Sequence, residues 1–459
     1  MIPRNAVASP PVSCSDTSAT MRFKAVPGSI VAPQGFLASG VFCDIKRLGT
    51  GKGSNKGPKR DLALIVSEVP ATVAGMFTTN QVCAAPVKVC VEHVRSGRAQ
   101  AIVVNSGNAN ACTGRRGLAD AQAMAAETAR HLHLEPADVL VGSTGRIGVP
   151  LPMANVREGI RRAAGLLGND AIHAGEAAEA IMTSDTRDKQ VAIEFRLGGR
   201  PVRLGGICKG AGMIQPGMSA TGARPPARPL HATMLSFLTT DAAVTAPALR
   251  AALQEATALS FNRITIDGDM STNDTVLVLA NGLAGNPPLR RNDRDFATFQ
   301  AALSDVTLAL AQKIVRDGEG VTRFVTVRVN GARTPAAAAA AARAVANSAL
   351  VKTSWFGGDP NWGRIIDALG YSSAEVVEDR VDIGYSAPGS RKVLWSLRHG
   401  QPTRATFKAL CAAAAAPEFD LHIRLNLARG DAIIYASDLT EEYVEFNKGD
   451  VTDPASLGG

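Results

Sequence analysis

The chain has 459 residues, of which 46% are hydrophobic, 20% charged and 5% aromatic, with a formal net charge of +8 and seven cysteines. This exceeds one ordinary core and is globular in composition, which excludes a disordered or fibrous chain and points to two domains or one large layered fold. The positive residues are dispersed without interleaved aromatics, the odd cysteines contain no Cys-x-x-Cys pair, the histidines are scattered, and no stretch reaches about 18 apolar residues, so nucleic-acid binding, a disulfide framework, a metal site and a membrane span are not expected.

Residues 1–30 carry Arg4, Arg22 and Lys24 against the single acid Asp16, with several Ser and Thr and no apolar core. That composition suits a plastid or mitochondrial transit segment and equally a disordered N-terminus. The basic, glycine-rich stretch within 46–60 misses the phosphate-loop spacing, because Lys46 stands at the first glycine position and Gly53 at the hydroxyl position. It reads as a flexible insertion before a strand at 62–66, with no nucleotide cofactor. Short apolar strands are expected at 101–104, ahead of the Asn- and Gly-rich Asn105–Gly114, and at 139–141, ahead of Gly142-Ser143-Thr144-Gly145-Arg146-Ile147-Gly148. Both following segments read locally as turns. Helices are expected at 118–132, 151–165, 173–183, 247–259, 296–316 and 334–346, the last opened by a Thr334 cap and Pro335. Val325–Asn330 and Phe419–Leu427 alternate apolar with polar residues, the period of a sheet with one wet or mixed face. Asp359-Pro360-Asn361-Trp362-Gly363 reads as a turn without a chemical role. Helices beside sheets imply a layered α/β architecture.

One short stretch has the residue types that a self-cleavage reaction would need. Ala232, Thr233 and Met234–Leu238 place a small residue, a hydroxyl nucleophile and an apolar run in succession, and the run forms a strand that holds the nucleophile rigid. In a strained precursor such a hydroxyl can attack the preceding carbonyl, shift the acyl group from nitrogen to oxygen, and let water release the ester. Thr233 is left with a free α-amine. Such an amine titrates at roughly 7.7–8.0 and can serve as base to its own hydroxyl, so no histidine is needed. Taken alone, Ala-Thr before an apolar run is also an ordinary buried strand. Ala220-Thr221 offers a second pair but lacks the apolar run.

The surrounding segments carry a resemblance. Phe77-Thr78-Thr79-Asn80, Asn105–Gly114, Gly142–Gly148, Ile181–Thr186, Lys209–Ile214, His231–Ala242, Asp267–Thr275, Asp317-Gly318-Glu319-Gly320, Asp359–Arg364, Asp438-Leu439-Thr440 and Tyr443–Asn447 span most of the chain after residue 30. In that order they resemble the ornithine acetyltransferase (glutamate N-acetyltransferase) family of the arginine pathway. The resemblance implies an α/β fold of the N-terminal-nucleophile type, with sheets sandwiched between helices, cut at Ala232–Thr233 into chains 31–232 and 233–459 that intertwine as a heterotetramer. It implies ping-pong transfer of an acetyl group from N-acetylornithine to glutamate through acetyl-Thr233, without metal or cofactor. Some members also accept acetyl-CoA, which these residues leave open. It places the oxyanion hole at Thr144 and Gly145, where a glycine lets backbone approach and frees an N–H. It assigns substrate contacts to Thr183, Lys209, Thr233, Glu319, Asn447 and Thr452. The Lys209 ammonium suits the carboxylate common to the substrates, and Glu319 between glycines suits an ornithine ammonium better than Asp267 or Asp269 do. The segment from Gly35 resembles plant members, favouring a plastid over mitochondrion or cytoplasm. The alternatives are a hydrolase, in which water resolves the acyl-threonine, and an uncleaved binding-only relative.

The chain departs from that pattern in two places. Sixteen residues separate Pro216 from Thr233, far more than is usual in the family, and the extra segment 219–230 is rich in Pro and Arg. It reads as a flexible or polyproline-like loop beside the scissile bond. Loop entropy tolerates it, but cleavage geometry is less forgiving: it slows processing, persists as a tail on the upstream chain, or is retained noncoding sequence. Lys448–Val451 departs from the pattern ahead of Thr452.

Overall fold

The computed structural model describes residues 23–46, 59–223 and 234–448. Ten strands come first: β1 (Lys24–Ala25), β2 (Phe36–Val41), β3 (Leu62–Phe77), β4 (Arg98–Asn108), β5 (Val139–Arg146), β6 (Lys189–Leu197), β7 (Arg200–Lys209), β8 (Leu235–Thr240), β9 (Ile264–Thr265) and β10 (Thr275–Ala280). All but β9 form one sheet in the order β1-β6-β7-β8-β10-β3-β4-β5, with β2 also paired to β3. At 16 residues, β3 is long enough to serve two layers: residues 62–66 and, past an irregularity, 71–72 pair with β4, and residues 72–77 pair with β10. The layers fold face to face over a shared core that includes Ile65, Val104, Leu140, Ile207, Phe237 and Leu277. Gly142 permits this approach, because a Cβ there would stand 3.2 Å from the Phe237 ring and 3.1 Å from Val104.

Helices cover both outer faces. After α1 (Ala85–His93), α2 (Gly114–Leu132) and α3 (Met153–Ala164) pack Met124, Val156 and Ile160 against one layer. Beyond α4 (Ala171–Ala180), which closes the inner core, α5 (Ala246–Leu259) and α6 (Phe296–Arg316) pack Leu249, Leu253, Leu303 and Leu310 against the other. The expected sheets between helices are present. Burial on both faces also explains why β8 reads as an apolar run and not as an alternation: all six of its residues are buried.

The second sheet comprises β11 (Phe324–Ala332), β12 (Asp382–Ser386), β13 (Leu394–Arg398), β14 (Gln401–Pro402), β15 (Glu418–Arg424) and β16 (Gly430–Ser437), in the order β14-β13-β12-β15-β11-β16-β9. Val325, Val327 and Val329 face a core shared with α7 (Pro335–Asn347), α8 (Ala349–Phe356), α9 (Trp362–Gly370) and α10 (Phe407–Ala414). Arg328, at an intervening position, pairs with Asp420 at 2.9 Å, giving the mixed face that the alternation predicts. Phe324 and Tyr435 join the core around α6, so that helix ties the two sheets together. The last described helix is α11 (Glu441–Asn447).

The six expected helices form within a few residues of their anticipated bounds. Thr334 caps α7 by accepting from the Ala337 N–H at 3.1 Å, with Pro335 behind it. The helix expected at 173–183 instead runs from Ala171, capped by Asp170, to Ala180. The chain then turns because the Thr183 N–H donates to the Asp185 carboxylate at 3.0 Å. The short helices α1 and α8–α11 lack a long amphipathic repeat and were not anticipated. Asn361 caps α9, which is the role of the Asp359–Gly363 turn. Lys46, the first residue of the stretch read as a flexible basic insertion, is instead fixed: it is buried, its Nζ donates to the Arg60 carbonyl at 2.6 Å, and its N–H joins those of Cys43 and Ile45 on the Asp61 carboxylate. Residues 47–58 of that stretch lie outside the described residues.

Candidate active site

Strand register sets the frame of the site. Lys209 at the end of β7 pairs with Leu235 at the start of β8, which pairs in turn with Thr275 at the start of β10. Leu235, two positions after Thr233 in sequence, is therefore held between two fixed strands. Ala232, Thr233 and Thr452 themselves lie outside the described residues.

Lys209 is buried and does not take the solvated position usual for lysine. Its Nζ donates to Thr183 Oγ1 at 2.7 Å and to Thr144 Oγ1 at 3.3 Å, and stands 3.8 Å from Asp185. Burial lowers its pKa, while the Asp185 carboxylate pulls in the opposite direction. An ammonium only donates, so both threonine hydroxyl protons are free to turn elsewhere. Gly145, after Thr144, has φ +125°, and a Cβ there would come within 2.4 Å of the Gly107 carbonyl carbon. Only glycine fits that backbone.

Glu319 and Asn447 form a second group. The Glu319 N–H donates to the Ala211 carbonyl at 2.9 Å, and Asn447 Nδ2 donates to Glu319 Oε2 at 2.8 Å. Gly212 makes room for this carboxylate, since a Cβ there would lie 2.5 Å from Oε2. Burial raises the Glu319 pKa, opposed by hydrogen bonds from Ser184 and Asn447. Segment 183–185 thus touches both groups, Thr183 meeting Lys209 and Ser184 meeting Glu319. Asp267 has a scaffolding role: it accepts the Met213 and Ile214 N–H groups and the Tyr443 hydroxyl.

The remaining motif segments bind the layers. Thr78 and Thr79 donate to the carbonyls of Ser271 and Gly217, and Asn273 Nδ2 donates to those of Ala109 and Ser143. Ser219, at the start of the extra segment, exchanges backbone hydrogen bonds with Phe77 at 2.8 and 2.9 Å. Sequence reasoning passed over Asp274. Its Oδ1 accepts the backbone N–H of Met234, the residue after Thr233, while Oδ2 is buried with no hydrogen-bond partner among the described residues. Burial holds its carboxyl well above the usual range. Its only signal was membership of the Asp267–Thr275 run. Among the described residues, no cluster of three or more His, Cys, Asp or Glu could hold a metal ion, and no helix is long and apolar enough to cross a membrane.

Comparison with known proteins bears on the same segments. The chain is 47% identical over 422 residues to the arginine biosynthesis bifunctional protein ArgJ of Symbiobacterium thermophilum, covering 92% of this chain and 98% of that protein. It is 44% identical over 423 residues to the protein of the same name from Caldanaerobacter subterraneus subsp. tengcongensis, with the same coverage. Among solved structures, it is similar to the ornithine acetyltransferase of Mycobacterium tuberculosis complexed with ornithine, at 38% identity over 42% of this chain and 96% of that one, with a TM-score of 0.38. The ArgJ family model matches residues 39–450, a span containing every site residue placed above, and the chain belongs to the ArgJ family.

Proposed function

We propose that the protein transfers an acetyl group from N-acetylornithine to glutamate in arginine biosynthesis, by a ping-pong route through acetyl-Thr233. The observation that carries this reading is the meeting of Thr144, Thr183 and Lys209 where β8 begins, two residues past Thr233. Thr233 attacks the acetyl carbonyl and its α-amine takes the hydroxyl proton. The Thr144 hydroxyl, whose oxygen already accepts from Lys209, turns its proton to the developing oxyanion beside the Gly145 N–H, and ornithine leaves with the transferred proton. The amine of glutamate then attacks the acetyl-threonine and regenerates the enzyme. Thr183, Lys209, Glu319, Asn447 and Thr452 hold the amino-acid portions of the substrates, with Glu319 facing the ornithine ammonium.

In this reading autoproteolysis at Ala232–Thr233 yields chains 31–232 and 233–459, which assemble as a heterotetramer, and residues 1–30 direct the precursor to a plastid. The chemistry needs no metal or cofactor, and acetyl-CoA is a candidate second donor. Mass spectrometry of the downstream fragment tests the central claim. It should begin at Thr233, gain one acetyl group from N-acetylornithine, and lose it on addition of glutamate. Rapid loss to water without glutamate would instead mark a hydrolase. A fragment with another start, or acetyl transfer without an acetylated threonine, would overturn the reading.

A further inference from the structure

We infer that Lys189 is a positioning residue of the substrate site: by bridging Asp185 and Asp317 it holds the Lys209 end of the site in register with the Glu319 end. This rests on the acetyl-transfer reading above. Lys189 opens β6 and its side chain is only 2% exposed. Its Nζ lies 2.6 Å from Asp185 Oδ1, 2.5 Å from Asp317 Oδ2 and 3.2 Å from the Arg187 carbonyl, so all three donors are committed within the protein.

Both carboxylates lead directly into the site. Asp185 Oδ1 also accepts the Gly210 N–H at 2.7 Å, Oδ2 accepts the Thr183 N–H at 3.0 Å, and the group stands 3.8 Å from Lys209 Nζ. Asp317 is the C-cap residue just after α6, two residues before Glu319, and it accepts the N–H groups of Thr186 and Arg187 at 3.1 and 3.2 Å together with the Thr186 hydroxyl. The buried set holds two ammonium and two carboxylate groups, so its charges balance. Burial works against the charged forms, yet the mutual pairing lowers the Asp185 pKa and raises that of Lys189. After cleavage at Ala232–Thr233, Asp185, Lys189 and Lys209 belong to the upstream fragment, and Asp317 and Glu319 to the downstream one. Each fragment supplies one end of the amino-acid site, and Lys189 fixes the spacing between them.

Removing Lys189 alone strands two buried carboxylates, whereas neutralising a pair together is far better tolerated. The test is therefore the double variant Lys189→Met/Asp317→Asn in the full chain, which leaves Asp185 balanced by Lys209. We expect both fragments to form and remain together, with KM for N-acetylornithine raised at least about tenfold and kcat within about threefold. A KM within about twofold of the unaltered enzyme would overturn the inference, because a purely structural pair shifts stability without separating KM from kcat. Should the double variant fail to fold, Thr186→Val decides. It removes one hydrogen bond to Asp317 and no charge, and should raise KM roughly threefold; an unchanged KM there overturns the inference. Failure of the unaltered enzyme to transfer acetyl would sink the functional reading itself, while normal transfer with an unaltered variant KM sinks only the role of Lys189.

Discussion

Burial lifts the Glu319 carboxyl above its ordinary range, and hydrogen bonds from Ser184 and Asn447 only partly offset this. A raised acid protonates earlier as pH falls, so the negative charge that would hold an ornithine ammonium is lost at a higher pH than for an exposed glutamate. KM for N-acetylornithine should therefore begin to rise, as pH is lowered, at a higher pH than an exposed glutamate would give. Glu319→Gln should raise KM where Glu319 is ionised and abolish that dependence, the two enzymes converging as pH falls. Losing a charged hydrogen bond costs about 1.5–3 kcal/mol, roughly ten- to a hundredfold in KM; a parallel pH profile in the variant would exclude Glu319 from the site. Gly145 makes a sterner demand. Its positive φ and its 2.4 Å approach to the Gly107 carbonyl carbon leave no room for a methyl group. Gly145→Ala should displace the oxyanion donors and reduce kcat by about a hundredfold or more, measured on protein confirmed as folded by circular dichroism.

At the scale of the element, β8 joins the fold to the chemistry. Phe237 is fully buried between the two layers, and the strand that carries it begins at Leu235, two positions after Thr233 in sequence. Phe237→Ala should cost about 3–5 kcal/mol in urea unfolding and slow the proposed self-cleavage, because the strand that follows the proposed nucleophile Thr233 in sequence loosens. A contrasting change lies far from the site. Thr334→Ala removes the α7 cap, costing about 1 kcal/mol, and should lower Tm slightly while leaving acetyl transfer untouched. The helices legible in the sequence were those with a sustained apolar stripe or explicit caps, such as Phe296–Arg316 and Pro335–Asn347. Those that escaped, among them Ala85–His93 and Ala349–Phe356, span only two to three turns, and their place is decided by packing rather than pattern.

For the whole molecule, the test is whether one polypeptide becomes two without coming apart. A denaturing gel of the unaltered protein should show two fragments of nearly equal size, and Thr233→Ala should remain a single chain. Under native conditions the fragments should elute together, because β7 pairs with β8 across the cut and the Lys189–Asp317 contact bridges it. The amino-acid sequence by itself determined the layered α/β class, because apolar periodicity is written along the chain, and its motif segments, through their resemblance to a family, singled out Thr144, Thr183, Lys209, Glu319 and the proposed nucleophile Thr233. Only the tertiary structure decided that Lys209 is buried against Thr144 and Thr183, that Asp274 grips the Met234 amide 40 positions away, and that Asp185 and Asp317 share one ammonium. Those contacts arise from strands paired out of chain order and from a sheet folded over at β3, and long-range proximity of that kind leaves no periodic trace in the residues it brings together.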